Sequence, residues 1–292
     1  MGVKSILCIF GGAAHELNAL NAAMTLAQSN AAQIRVLHIS PDPGAYIAAY
    51  GGEVMAASAV LAALEKQNAE RLDRAKHCAA SLAQTHQIPL DTPEALAHHA
   101  SAQFLHQMGA VDAIIAQEGR LSDLIVISRG AYAASPHNDD AVMAALFNTG
   151  RPVLLTPKAE GGVPAPWRDK TIALAWNGSL EAARALWGAM PLLEQAETLH
   201  VLTARRHGGV VDLTGEARLL DYLKAHGLHT EIIAVEFGRH SEAELVLEQA
   251  RELKADILVM GAYGRSRLRE MMLGGFTEHL LQRADMPLLL AH

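Results

Sequence analysis

Cysteine occurs only twice in these 292 residues, and aromatic side chains make up only 4% of them. Cys8 and Cys78 supply no disulfide framework and no metal-type spacing. Cys8 falls inside an apolar run and reads as a buried, reduced thiol. A core short of aromatics has to be filled by aliphatic side chains, and the abundance of Ala and Leu favours helices packed on a flat layer. Positive charge is also scarce: 24 Lys and Arg against 31 Asp and Glu leave a formal net charge of -7. A general nucleic-acid binder carries a clustered basic surface, so none is expected here. No uncharged apolar run is long enough to span a bilayer, so no membrane partner is expected. The opening MGVKSILCIFGGAAHELN lacks a long apolar core and a small-residue cleavage site, which predicts a cytoplasmic chain with no secretion signal. The 15 histidines suggest no metal site. His98 and His99 are adjacent and cannot share one face, and His15-Glu16 lacks the second histidine of a zinc-protease helix. No G-x-S-x-G elbow and no P-loop occurs, and no catalytic residue is singled out.

What the chain does contain is a repeat. Lys4-Ser5-Ile6-Leu7-Cys8-Ile9 recurs as Lys170-Thr171-Ile172-Ala173-Leu174-Ala175, and Ser122–Ile127 recurs as Ala255–Met260. Arg35–Ile39 is echoed by Thr198–Leu202, an alignment that treats His38 and His200 as equivalents. Gly150–Leu155 is echoed by Asp285–Leu290. Matches in the same order imply two copies of one unit. The Pro- and Gly-rich run between them reads as a linker. The division is 1–157, linker 158–168, and 169–292. Short apolar runs alternate with amphipathic stretches, which predicts parallel sheets covered by helices on both faces: two tandem doubly wound α/β domains. In the second copy the predicted strands are 171–176, 198–203, 229–236, 256–260 and 287–291. The first copy adds an insertion around 42–53 and a long helix near 56–87. Each copy ends on a proline-led strand, Pro152 and Pro287, and pairing these two would bury both edges.

Chemistry concentrates in GAYGRSRLREMMLGG, residues 261–275, directly behind the apolar strand Ile257–Met260. Ligands of open α/β sheets bind beyond the carboxyl ends of the strands. A glycine turn followed by a helix start supplies bare N–H groups and a positive dipole end, which suits a phosphate chain. Gly261 and Gly264 would form one half of such a cradle. Gly274, Gly275 and the N–H of Phe276 would form the other, with the segment 265–273 folding over between them.

The segment ADILVMGAYGRSRLREMMLGGFTEHLL resembles the signature of the universal stress protein family, G-x-x-G followed after nine residues by G-[S/T], which binds ATP phosphates. The resemblance covers the whole second copy, and the first matches in layout, so the chain looks like a tandem universal stress protein. It implies a Rossmann-like, adenine-nucleotide α-hydrolase-like fold and a stress-response role with ATP as ligand, with or without Mg. By that resemblance Asn177 stands where the family has an acid beside the nucleoside, with Ala175 just before it. Val201 offers backbone contact to the base, and Met260 and Gly261 close the other side. Gly264, Gly274, Gly275 and Phe276 take the phosphate positions, and Arg265 could add charge. Two departures are visible: Asn177 brings no charge, and Gly275 lacks the family's hydroxyl. Each weakens binding without abolishing it, since one lost hydrogen bond is worth about 0.5–1.5 kcal/mol.

The first copy is expected to be a structural half. There Arg129 is placed at the position of Gly261, and Asp139 and Asp140 precede a helix whose free N–H groups they would cap. Ser179, behind Asn177-Gly178, is expected to be a helix N-cap. The leading reading is a regulatory ATP binder with unidentified protein partners, its two domains a pseudo-dimer and a homodimer an option. Weak ATP hydrolysis, and a stress scaffold or small-molecule binder without nucleotide, are the alternatives.

Overall fold

The computed structural model describes residues 2–44, 54–92, 100–132, 140–158, 170–206, 213–237, 241–263 and 275–292. Its contacts divide the chain into two compact units, one built on residues 2–151 and the other on 152–157 together with the C-terminal half. The first unit runs β1 (Ser5–Ile9), a 3-10 turn (Ala14–Glu16), α1 (Leu17–Asn30), β2 (Gln33–Ser40), α2 (Val54–Thr85), β3 (Ser101–Met108), α3 (Val111–Gly119), β4 (Leu124–Ser128) and α4 (Asp140–Asn148). Its strands lie in the order β3-β2-β1-β4, all parallel. The second unit comprises β5 (Val153–Thr156), β6 (Thr171–Ala175), α5 (Leu180–Leu193), β7 (Thr198–Arg206), α6 (Leu213–Ala225), β8 (Ile232–Phe237), α7 (Glu242–Glu252), β9 (Ile257–Gly261), α8 (Gly275–Arg283) and β10 (Leu288–Ala291). The order there is β5-β10-β9-β6-β7-β8. The doubly wound α/β architecture expected from the sequence is the one observed.

The composition of the central strands explains their place. β4 (LIVIS) is buried at every residue and β9 (ILVMG) at every residue but its last, because both of their faces are covered. The sheet register also fixes which residues of the two units correspond. Ser5 faces Gln33 as Thr171 faces Thr198, and Ile6 faces Leu124 as Ile172 faces Ile257. Val201 therefore corresponds to Val36, and His38 to Thr203, while His200 corresponds to Arg35. The sequence equivalence of His38 with His200 is three residues out of register. The Leu-His dipeptide recurs in both strands without marking the same place in them.

The first unit steps outward from β1 to β3, then jumps back to place β4 on the other side of β1, and the second does the same from β6 to β8 and back to β9. Right-handed crossovers put the helices before and after that jump on opposite faces. Accordingly α1 packs on α2, and α3 packs on α4. The jump leaves a crevice at the carboxyl ends of β1 and β4, and again at those of β6 and β9.

β5 pairs antiparallel with β10, Leu154 opposite Leu289, as the two proline-led endings suggested. Val153, Leu154 and Leu288–Leu290 are fully buried, each worth about 1.5–3 kcal/mol of apolar burial. Contact therefore groups residues 152–157 with the C-terminal half. Gly188 of α5 lies so near Pro152 that an added Cβ would stand 2.9 Å from the proline Cβ. Gly188→Val is expected to destabilise the protein by about 1–3 kcal/mol through overpacking, measured by urea unfolding.

Candidate functional site

The crevice between β6 and β9 opens into a cavity of about 190 Å³. Ala175, Trp176 and Asn177 line it from the end of β6, and Met260, Gly261 and Tyr263 from the end of β9. β7 contributes Leu202 and Ala204, α7 contributes Glu242 and Val246, and Phe276 and Thr277 enter from the start of α8. The sequence-derived residues Ala175, Asn177, Met260, Gly261 and Phe276 thus converge on one space. Val201 does not line it: fully buried within β7, it leaves its neighbour Leu202 at the wall. Gly264, Arg265 and Gly274 lie outside the described residues.

Gly261 has a reason of its own to lack a side chain. A Cβ built there would lie 2.5 Å from the amide nitrogen of Ala182 and 2.6 Å from the carbonyl carbon of Glu181. The first turn of α5 occupies that space, so helix packing by itself requires a glycine here. Gly275 is the opposite case, exposed, with nothing within 4 Å of a built Cβ.

Local hydrogen bonds set the α5 turn. The Ser179 amide donates to Asn177 Oδ1 at 3.0 Å, and Ser179 Oγ accepts from the Ala182 amide at 3.1 Å, the expected N-cap. Asn177 Oδ1 is thereby occupied, and its Nδ2 meets no acceptor among the described residues. The Tyr263 amide reaches Thr277 Oγ1 at 3.4 Å, tying the end of β9 to α8. Two carboxylates share the wall. Glu181 is 5% exposed, and neither it nor Glu242 has a hydrogen-bond partner among the described residues. Burial pushes the Glu242 carboxyl up from its ordinary range. No Lys, Arg or His side chain is among the described residues of the lining. Sequence reasoning missed Glu181 and Glu242; the available signal was that helices following parallel strands begin at the crevice, and both acids sit in such a first turn.

The matching place in the first unit is filled from within. By register, Ser128, not Arg129, corresponds to Gly261, because Ile127 and Met260 occupy the same pairing position. Ser128 Oγ donates to the His15 carbonyl at 3.2 Å, so a Cβ is accommodated where α5 allows none. Glu16, 2% exposed, accepts from the Ala13 amide at 3.1 Å and from the amides of Gly11 and Gly12. The chain's own carboxylate thus fills an anion-binding concavity of backbone amides. Tyr132 Oη donates to the Phe10 carbonyl at 3.3 Å and accepts from the Ile39 amide at 2.7 Å. His38 Nδ1 lies 3.1 Å from the same carbonyl, and its ring stacks on Phe104. Asp139 lies outside the described residues; Asp140 is the first residue of α4.

Residues 170–292 match the family model described as Universal stress protein family. Together with the fold, this places a domain of that class in the C-terminal half. Solved structures of the same architecture span nearly the whole chain. A universal stress protein from Archaeoglobus fulgidus DSM 4304 is 16% identical with a TM-score of 0.68, covering 98% of this chain and 97% of its own. A functionally unknown protein from Pseudomonas aeruginosa PAO1 is 17% identical with a TM-score of 0.57, covering 99% and 92%. At such identities the likeness establishes the fold alone. A comparison with curated proteins returns no match.

Gly261→Ala is expected to cost about 1–3 kcal/mol, because the added carbon meets backbone atoms that move only with the whole of α5. Thermal unfolding reads this directly. A second expectation concerns pH. Burial, opposed by the three amides, raises the Glu16 carboxyl above its ordinary value of 4.5. The folded protein then holds this proton more tightly than the unfolded chain. The group's contribution to stability is fully present below pH 4.5 and declines as pH rises through the raised folded value. Glu16→Gln should flatten that decline in urea titrations run across the window.

Proposed function

We propose that this chain is a tandem universal stress protein that binds ATP in its C-terminal unit and acts through occupancy of that site rather than through turnover. The observation that carries the reading is the contrast between the units: the β6–β9 crevice holds a cavity, while Glu16, Tyr132 and His38 fill its counterpart. The nucleoside would sit against Asn177, Leu202, Val246 and Met260. The phosphates would run toward the start of α8, whose free N–H groups and dipole favour anions. The segment 264–274 carries the glycines that the family resemblance assigns to those phosphates. Bound ATP would hold that segment in one arrangement and so alter a surface offered to a protein partner.

Mg would be carried in on the phosphates. Among the described residues there is no group of three or more His, Cys, Asp or Glu able to hold a metal by itself. A cytoplasmic stress-response role goes with this proposal. Among the described residues no helix is long and apolar enough to cross a membrane.

Isothermal titration with ATP is expected to give one site per chain. Gly274→Val should weaken binding at least tenfold while leaving the unfolding transition in place. Two equivalent sites, or no binding at millimolar ATP, would contradict the reading. The open space at Gly275 adds a gain-of-function arm. Gly275→Ser supplies one hydroxyl at the helix start and should tighten ATP by up to about tenfold, the value of one added hydrogen bond.

A further inference from the structure

Among the described residues, the wall of the β6–β9 cavity is acidic where phosphate binding calls for a basic one. Glu181 enters from the first turn of α5 and Glu242 from the first turn of α7. Glu181 is 95% buried by its 5% exposure and lines the cavity, yet no donor among the described residues reaches it. No Glu181 oxygen is both fully buried and unpartnered, so its acceptors stay open to a donor that a ligand brings into the cavity. The first unit shows what a matched acid looks like here: Glu16, one position further along the corresponding turn, takes three backbone amides. In the second unit the Ser179 amide goes to Asn177 Oδ1 and the Ala182 amide to Ser179 Oγ, so those donors are spent within the turn. Asn177 Nδ2 is one donor at this end, and the wall also holds Trp176, Tyr263 and Thr277 beside the apolar carbon of Leu202, Ala204, Val246 and Met260.

We propose that Glu181 and Glu242 are specificity residues that accept hydrogen bonds from the N–H and O–H groups of the nucleoside, fixing that end of the ligand in the cavity. The idea rests on the nucleotide reading above and deepens it. Anionic oxygens are repelled by the pair, so the phosphates point away, toward α8. Ribose hydroxyls and an exocyclic amine are the donors a purine nucleoside brings. A ligand without them leaves the carboxylates unmatched and binds poorly. Inorganic polyphosphate, which brings charge and no such donors, is excluded from this end.

The test is titration of the full-length chain and of its Glu181→Gln and Glu242→Gln variants with adenosine, ATP and tripolyphosphate. For wild type and variants the adenosine series is extended to 2′-deoxyadenosine and purine riboside, which each lack one donor. The variants are expected to lose about tenfold or more for adenosine and ATP, as removal of a charged acceptor implies. Tripolyphosphate should bind them no more weakly than wild type. Dropping the matched donor from the ligand should cost less in a variant than in wild type, a coupling that a merely structural role would not produce. Glu242→Asp, which keeps the charge but draws it back, serves as the second variant and should weaken adenosine as well. Wild-type binding of ATP with unchanged affinity in the variants, or strictly additive ligand and variant losses, would overturn the assignment while leaving the nucleotide reading intact. Failure of wild type to bind either ATP or adenosine would overturn both.

Discussion

At the heart of the second unit the first turn of α5 presses directly on the end of β9. The backbone of Glu181 and Ala182 stands where any side chain on Gly261 would have to go. This contact exists because the chain reverses its direction of travel between β6 and β9, and the helix leaving β6 must start above the neighbouring strand. It sets the height of α5 over the sheet. The positions of Asn177, Ser179 and Glu181 follow from it, and so does the width of the cavity beside them. A tight glycine contact thus shapes the cavity that the same glycine helps to line.

The first unit solves the same problem differently, and the difference separates the two copies. Ser128 occupies the position of Gly261, and its hydroxyl bonds to the His15 carbonyl in a 3-10 turn. In the same turn Glu16 takes hydrogen bonds from the amides of Gly11, Gly12 and Ala13. Once the concavity holds an internal anion, an external one has nothing to gain there. His38 and Tyr132 complete the filling, and burial lowers the affinity of His38 for a proton. In the first unit the crevice residues bond to one another, and in the second they border a cavity.

The fold was largely legible in the chain because it rests on patterns that repeat. Strands with unbroken apolar runs, such as Leu124–Ile127 and Ile257–Met260, leave little freedom in a parallel sheet, and the proline-led endings pointed to the β5–β10 pair. What sequence could not supply was register. His38 was aligned with His200, and Arg129 with Gly261, because local similarity carries no information on which residues face each other across strands. The site was legible where backbone dictates it: Asn177, Met260 and Gly261 do line the cavity. Glu181 and Glu242 were not, since a glutamate in a first helical turn looks like ordinary dipole compensation until the crevice beneath it is known. The packing demand on Gly261 was hidden for a related reason. A glycine reserved for a helix and one reserved for a phosphate are identical in sequence.

The claim at the centre of this account is that one unit is open to a nucleotide and the other is closed by its own side chains. A crystal structure of the chain grown with a non-hydrolysable ATP analogue addresses it most directly. Density for the nucleoside between Asn177, Glu242 and Met260, its phosphates running toward α8, with Glu16 still seated on its three amides, is the predicted result. Nucleotide in the first unit with Glu16 displaced, or a β6–β9 cavity without ligand at saturating analogue, would contradict it.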